Sequence, residues 1–137
     1  MAEPSARKPW WRRWFGSRSE RAAGRFLRRA GFRILAWNVY TPCGEIDIVA
    51  LDGRTVVFVE VRSTENEDNS RPAESVDERK QRKLTDAALD FLRRRNLLEQ
   101  PARFDVLILS WPPGRREPDV THHRQAFEAV GRWQTFS

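Results

Sequence analysis

The sequence predicts a single-domain α/β sandwich built around a mixed β-sheet, and three observations lead there. Apolar residues recur at helical spacing in two separate stretches, and between and after them lie short β-branched runs bounded by Pro, Gly, Asn and Asp. Two of these runs flank Asp52-Gly53, a preferred hairpin dipeptide. The last apolar run follows the second helix, a crossover that makes it parallel to the third strand if the two are neighbours. At 137 residues the chain can bury one core but not two.

Taken in order, residues 1–18 are rich in Pro, Trp and Arg without a sustained period and read as a mobile basic leader. Ser19 can cap a first helix in which Ala22, Ala23, Phe26, Leu27 and Ala30 form an apolar stripe, with Gly31 suited to the position past its end. Phe32 to Val39 reads as the first strand and Pro42-Cys43-Gly44 as its connection to the hairpin. With Asp52-Gly53 as a type I′ turn, Leu51 pairs with Arg54 and Glu45 with Glu60. Residues 63–74 form a polar, charged loop. Ser75-Val76-Asp77-Glu78 has capping-box spacing, and Leu84, Ala87, Ala88, Phe91 and Leu92 make the buried face of the helix that follows. Arg103 to Trp111 is a strongly apolar strand stopped by Pro112-Pro113-Gly114; beyond it a strand near Val120 and a turn of helix near Ala126 are expected. The folded domain is thus expected over 19–131, with a tail at 132–137.

Charge is unevenly spread. The net charge is +6, yet residues 1–33 hold ten Arg or Lys against Glu3 and Glu20, leaving the remainder slightly acidic. Such asymmetry points to a polyanionic partner, nucleic acid or an anionic membrane surface, with a solubilising tail as the plainer explanation. No apolar run approaches a membrane span and the N-terminus lacks a signal-peptide core, so a cytoplasmic protein without stable membrane insertion is expected. Cys43 is the single cysteine, which excludes an internal disulfide.

The hairpin carries the chemistry. Alternation places Glu45, Asp47, Val49 and Leu51 with Arg54, Val56, Phe58, Glu60 and Arg62 on one face, and Ile46, Ile48 and Ala50 with Thr55, Val57, Val59 and Val61 on the other. In the expected register Asp47 and Glu60 are diagonal neighbours, roughly 7–8 Å apart at the backbone, and can converge on one cation. Mg²⁺ needs no more than one or two carboxylates beside water and phosphate oxygens. An inter-strand salt bridge, with Arg62 neutralising Glu60 or Glu45, is the competing reading of the same residues. Elsewhere, Asp105 either assists this site or pairs with Arg103. His122 and His123 are adjacent on an extended chain, point opposite ways and make a poor metal pair. Trp10, Trp11 and Trp14, set among Arg12, Arg13 and Arg18, have the composition to stack on unpaired bases while guanidiniums meet phosphates; adsorption to a membrane surface uses the same ingredients.

Glu20 with Ala22-Ala23, Gly44-Glu45-Ile46-Asp47, Phe58-Val59-Glu60-Val61-Arg62, Ala73-Glu74-Ser75-Val76-Asp77, Lys80-Gln81-Arg82-Lys83-Leu84, Arg103-Phe104-Asp105-Val106 and His123-Arg124-Gln125-Ala126-Phe127 together resemble the YraN-type family, in the same order and over residues 19–127. The resemblance implies a restriction-endonuclease-like α/β/α sandwich, the core of the PD-(D/E)xK phosphodiesterases, close to archaeal Holliday-junction resolvases. It implies a metal-dependent nuclease acting on DNA, in branched or single-stranded form. The alternative is a catalytically impaired nucleic-acid-binding module of the same fold. Asp47 then matches the first catalytic acid, Glu60 the second and Arg62 the position usually held by lysine. Glu20 matches a helix acid that some relatives add, and Asp47, Glu60 and the Val61 carbonyl would hold Mg²⁺ or Mn²⁺. Arginine at position 62 keeps its charge where lysine can lose a proton, so it can clamp a phosphate but not activate water. In a chain where 22 of 25 basic residues are Arg, it is also a compositional drift. Lys80 matches a basic family position and is a candidate to substitute for the missing lysine. The expected partner is nucleic acid, DNA ahead of RNA, contacted through Arg12, Arg13, Trp14, Arg18, Lys80 and Lys83. Resolvase-like folds pair to cut two strands, which leaves a homodimer open.

Overall fold

The computed structural model describes residues 10–64 and 76–129, with side chains described for 18–63 and 76–129. The element order is α1 (Trp10–Arg29), β1 (Arg33–Thr41), β2 (Gly44–Asp52), β3 (Thr55–Thr64), α2 (Glu78–Arg94), β4 (Ala102–Ser110) and β5 (Asp119–Phe127). The five strands form one sheet in the order β1-β2-β3-β4-β5, with β3 and β4 parallel and every other neighbouring pair antiparallel. The expected crossover is therefore present, and the sheet is mixed.

α1 begins earlier than its sequence suggests. Ser19 does not cap it but lies inside it, buried, with its hydroxyl against that of Ser63 on β3. Residues 10–18, expected to be an irregular leader, are helical, whereas residues 1–9 lie outside the described residues. At its other end the helix stops as the sequence requires. The N–H of Phe32 donates to Leu27 O at 2.9 Å and that of Gly31 to Arg28 O at 3.0 Å, a Schellman closure that needs a left-handed residue, and Gly31 sits at φ +96°.

α1 and α2 cover opposite faces of the sheet. Ala22, Ala23 and Leu27 of α1 pack with Ile48, Ala50, Val57, Val59, Leu107 and Leu109. Leu84, Ala87, Ala88, Phe91 and Leu92 of α2, the face read from the sequence, pack with Val49, Val56, Phe58, Phe104, Val106 and Ile108. Ile46 departs from the alternation and joins the α2 side. Beside it β1 is irregular: Asn38, level with Asp47 between the pairs Trp37↔Ile48 and Val39↔Ile46, has φ +48°.

Three local expectations are corrected. The hairpin pairs Asp52 with Thr55, so the turn is Gly53-Arg54 and not Asp52-Gly53. Of the two turn residues Gly53 alone has positive φ, +64°, as in a type II′ turn. Asp52 stays in its strand because its Oδ2 accepts from Arg103 and Arg124, each at 3.1 Å. Second, α2 is capped by Asp77, whose Oδ1 accepts from the Lys80 N–H at 2.9 Å; Ser75 lies outside the described residues. Third, Ala126 is part of β5 and not of a helical turn, while the strand expected near Val120 is present. The polar loop from residue 65 and the tail at 132–137 lie outside the described residues.

Candidate metal centre

The corrected turn moves the whole register by one pair. Pairing runs from Asp52↔Thr55 to Ile48↔Val59 and the paired ladder ends there; continuing the same count would set Asp47 across from Glu60, where a diagonal relation is expected from the sequence. Opposite residues are closer than diagonal ones, with Cβ atoms roughly 4.5–5.5 Å apart. Because the shift is even, the paired side chains from Ile48 to Val59 keep their faces, and Ile46 alone among the hairpin's core residues changes side. At this point the Asp47 carboxylate takes part in the ladder: its Oδ2 accepts from the Val61 N–H at 2.9 Å. Asp47 and Glu60 are 6% and 5% exposed, so both acids are inside the sandwich.

A buried carboxylate needs opposite charge or hydrogen bonds to stay ionised. For Glu60 these come from two elements. Lys80, in the first turn of α2, brings its Nζ to 2.8 Å from Oε2, and the Arg62 guanidinium stands 3.7 Å from the same oxygen. The side chains of both cations are about one-third exposed, 37% for Lys80 and 30% for Arg62. The salt bridge that competed with the metal reading is thus partly present, but with Lys80 as the nearer partner. The resemblance offers Lys80 as a substitute for the missing lysine, and its Nζ does lie at Glu60; the spacing of the helix by itself gives no signal of that reach to β3.

Asp47, Glu60, Val61, Arg62 and Lys80 come together. Glu20 does not complete a third-carboxylate set: among the described residues no three His, Cys, Asp or Glu side chains gather closely enough to hold a metal ion. Lys83 is exposed on α2, with its backbone beside Gly44 at the start of β2. Arg18 lies 3.6 Å over the Trp111 ring. The side chains of Arg12, Arg13 and Trp14 lie outside the described set, although their backbone belongs to α1. The donor set at the centre, two buried carboxylates with a neighbouring carbonyl, consists of hard oxygens and fits Mg²⁺ or Mn²⁺.

A second acid is built differently. Asp105, fully buried on β4, receives four donors. Oδ1 accepts from Arg103 Nε at 2.9 Å and the Gln125 N–H at 3.0 Å, and Oδ2 from Arg103 Nη2 at 3.2 Å and His122 Nε2 at 2.8 Å. An ionised carboxylate only accepts, so His122 carries its proton on Nε2. Burial works against charge on Asp105, but the hydrogen bonds from His122, Arg103 and Gln125 outweigh it and hold the carboxyl below its ordinary pKa. Burial likewise opposes charge on Arg103, and its contacts with Asp105 and Asp52 raise its pKa nonetheless. β5 bulges to make this possible: its register shifts between Phe104 and Val106, and Gln125 takes φ +53° to turn its N–H onto Asp105. Of the two readings of Asp105 the structure has the ion pair with Arg103. His122 faces it from the α1 side, edge-on to Phe26 and Phe32 with ring centroids 5.7 Å apart, and His123 belongs to the opposite face.

A helix on each side of a five-stranded mixed sheet, with paired acids on the central hairpin, defines an α/β protein consistent with a restriction-endonuclease-like fold. Comparison with known proteins agrees on the lineage. Residues 19–109 match the uncharacterised protein family UPF0102. The chain is similar to a UPF0102 protein of Rhodopirellula baltica, 43% identical over 119 residues that cover 85% of this chain and 71% of the relative. It is also similar to one of Geotalea uraniireducens, 40% identical over 113 residues, covering 82% and 88%. To a UPF0102 protein of Xylella fastidiosa it is 52% identical over 97 residues, covering 70% and 80%. The protein belongs to the UPF0102, or YraN-type, family. No helix among the described residues is long and apolar enough to cross a membrane.

Proposed function

We propose that the protein is a metal-dependent nuclease that hydrolyses phosphodiester bonds of DNA, in branched or single-stranded form. The observation that supports this reading is the burial of Asp47 and Glu60 on adjacent strands, with the Asp47 carboxylate on the N–H of Val61, the residue after Glu60, and cationic side chains beside Glu60. A core position is an expensive place for two acids unless they serve a cation. Asp47, Glu60 and the Val61 carbonyl would hold Mg²⁺ or Mn²⁺, which when bound supplies Lewis acidity and an activated water.

The chain's own residues have the remaining tasks. The Val61 N–H fixes the Asp47 carboxylate. Arg62 offers a permanently charged clamp for a phosphate oxygen. Arg12, Arg13, Trp14 and Arg18 on α1, with Lys83 on α2, supply backbone-phosphate contacts and base stacking along the substrate. Calorimetric titration with Mn²⁺ is the direct test: heat that Asp47→Asn diminishes supports the reading, and an absence of heat removes it. Cleavage of a labelled four-way junction or flap in Mn²⁺, abolished by Glu60→Ala, tests turnover.

Arg62 favours a second reading, a binding module of the same fold with impaired turnover, since arginine cannot serve as a proton acceptor. Arg62→Lys separates the two. A gain of cleavage marks the arginine as the lesion, whereas unchanged cleavage by the wild type and the variant marks it as a clamp.

A further inference from the structure

Among the described residues, two cations of different kind stand beside Glu60. Arg62 lies on the same strand and its guanidinium, at 3.7 Å, is beyond hydrogen-bond distance. Lys80 makes a charge-assisted contact at 2.8 Å from a different element. Its backbone is pinned, because its N–H donates to the Asp77 cap, while its charged end rides on a flexible four-carbon stem that is 37% exposed. The root of this side chain is fixed and its head can leave. A divalent ion drawn to Glu60 seeks the charge that the ammonium neutralises, and two cations repel each other at such a distance.

We propose that Lys80 is the resident counter-ion of this site. Its ammonium holds Oε2 of Glu60 until a divalent cation competes for that oxygen, and once displaced it contacts a phosphate of the substrate beside the fixed guanidinium of Arg62. The proposal rests on the metal-dependent reading above and gives Lys80 a role distinct from general attraction of nucleic acid. Lys80 stays charged throughout; the step is an exchange of ion pairs with no transfer of a proton.

The experiment compares the full chain with Lys80→Met, which keeps the stem and removes the charge. Lys80→Arg retains a competing cation, and Arg79→Met removes one charge from an exposed neighbouring position on α2. Calorimetric titration with Mn²⁺ should show Lys80→Met binding about fivefold more tightly than wild type, the scale of one ion pair with a part-exposed lysine that no longer competes. Lys80→Arg and Arg79→Met should stay within about twofold of wild type on the same grounds. Affinity for a single-stranded oligonucleotide, measured with Ca²⁺ present and again with chelator, should fall in Lys80→Met with the metal and stay unchanged without it. Mn²⁺ binding by Lys80→Met that is equal to or weaker than wild type overturns the counter-ion role while leaving the metal site standing. A wild-type chain that binds no Mn²⁺ overturns both.

Discussion

Two buried acid centres lie in one sheet on opposite faces, and they are satisfied in opposite ways. Asp105 is enclosed by four short donors from β4 and β5, two of them from a single guanidinium fork. Glu60 is accompanied by a lysine and an arginine whose side chains are each about one-third exposed, 37% and 30%. Each centre lies beside an edge strand bent by a non-glycine residue at positive φ, Gln125 near Asp105 and Asn38 near Asp47. The difference teaches how to separate a structural acid from an exchangeable one. Burial alone does not distinguish them; the freedom of the partner does.

The largest effect expected from this contrast is on stability. Asp105→Ala leaves Arg103 and His122 around an empty position, and urea unfolding should show a loss of about 3–5 kcal/mol, the range for breaking a buried pair. Glu60→Gln should do the reverse: in the proposed reading cleavage falls by about a hundredfold or more, while unfolding free energy stays within about 1 kcal/mol because the part-exposed Lys80 can turn to solvent. Equal destabilisation by the two substitutions would erase the distinction.

Acid titration sharpens the comparison further. Since the Asp105 pKa is lowered in the fold, its contribution is fully present above the unfolded value, about 3.9, and is lost as pH falls through the folded value. Urea midpoints measured from pH 6 downwards should therefore decline more steeply in wild type than in Asp105→Asn. The smallest effect is expected at the rim of the closed network. Arg124→Ala removes a contact to Asp52 between groups 53% and 36% exposed, and the unfolding free energy should change by about 0.5 kcal/mol or less.

Apart from Ile46, the core faces of the hairpin were legible in the sequence because a period of two survives an even shift of register. The register itself was not. It depends on Asp52 being retained in β2 by Arg103 and Arg124, partners far along the chain that no local turn preference records. The crossover, the buried face of α2 and the Gly31 stop were written in spacing and glycine chemistry. The start of α1 was hidden because Ser19 has the composition of a cap but faces Ser63 inside the fold. The bulge of β5 was missed for a related reason: the N–H of Gln125 is drawn to Asp105, a tertiary demand on a residue with no turn preference of its own. At the candidate site, Asp47, Glu60 and Arg62 could be found by alternation. The closeness of Lys80 to Glu60 could not, since it follows from how α2 sits on the sheet.

Asp47 and Glu60 belong to a single hairpin, whereas their nearest ammonium arrives through the crossover to β4. Hairpins zip in about 1–10 μs, faster than distant elements dock, so the two negative charges are expected to meet before Lys80 reaches them. Mutual repulsion then opposes zipping in the nascent hairpin, and divalent ions in the refolding buffer would relieve it. In the proposed reading, the acids that would hold the metal would also make assembly sensitive to the ionic medium.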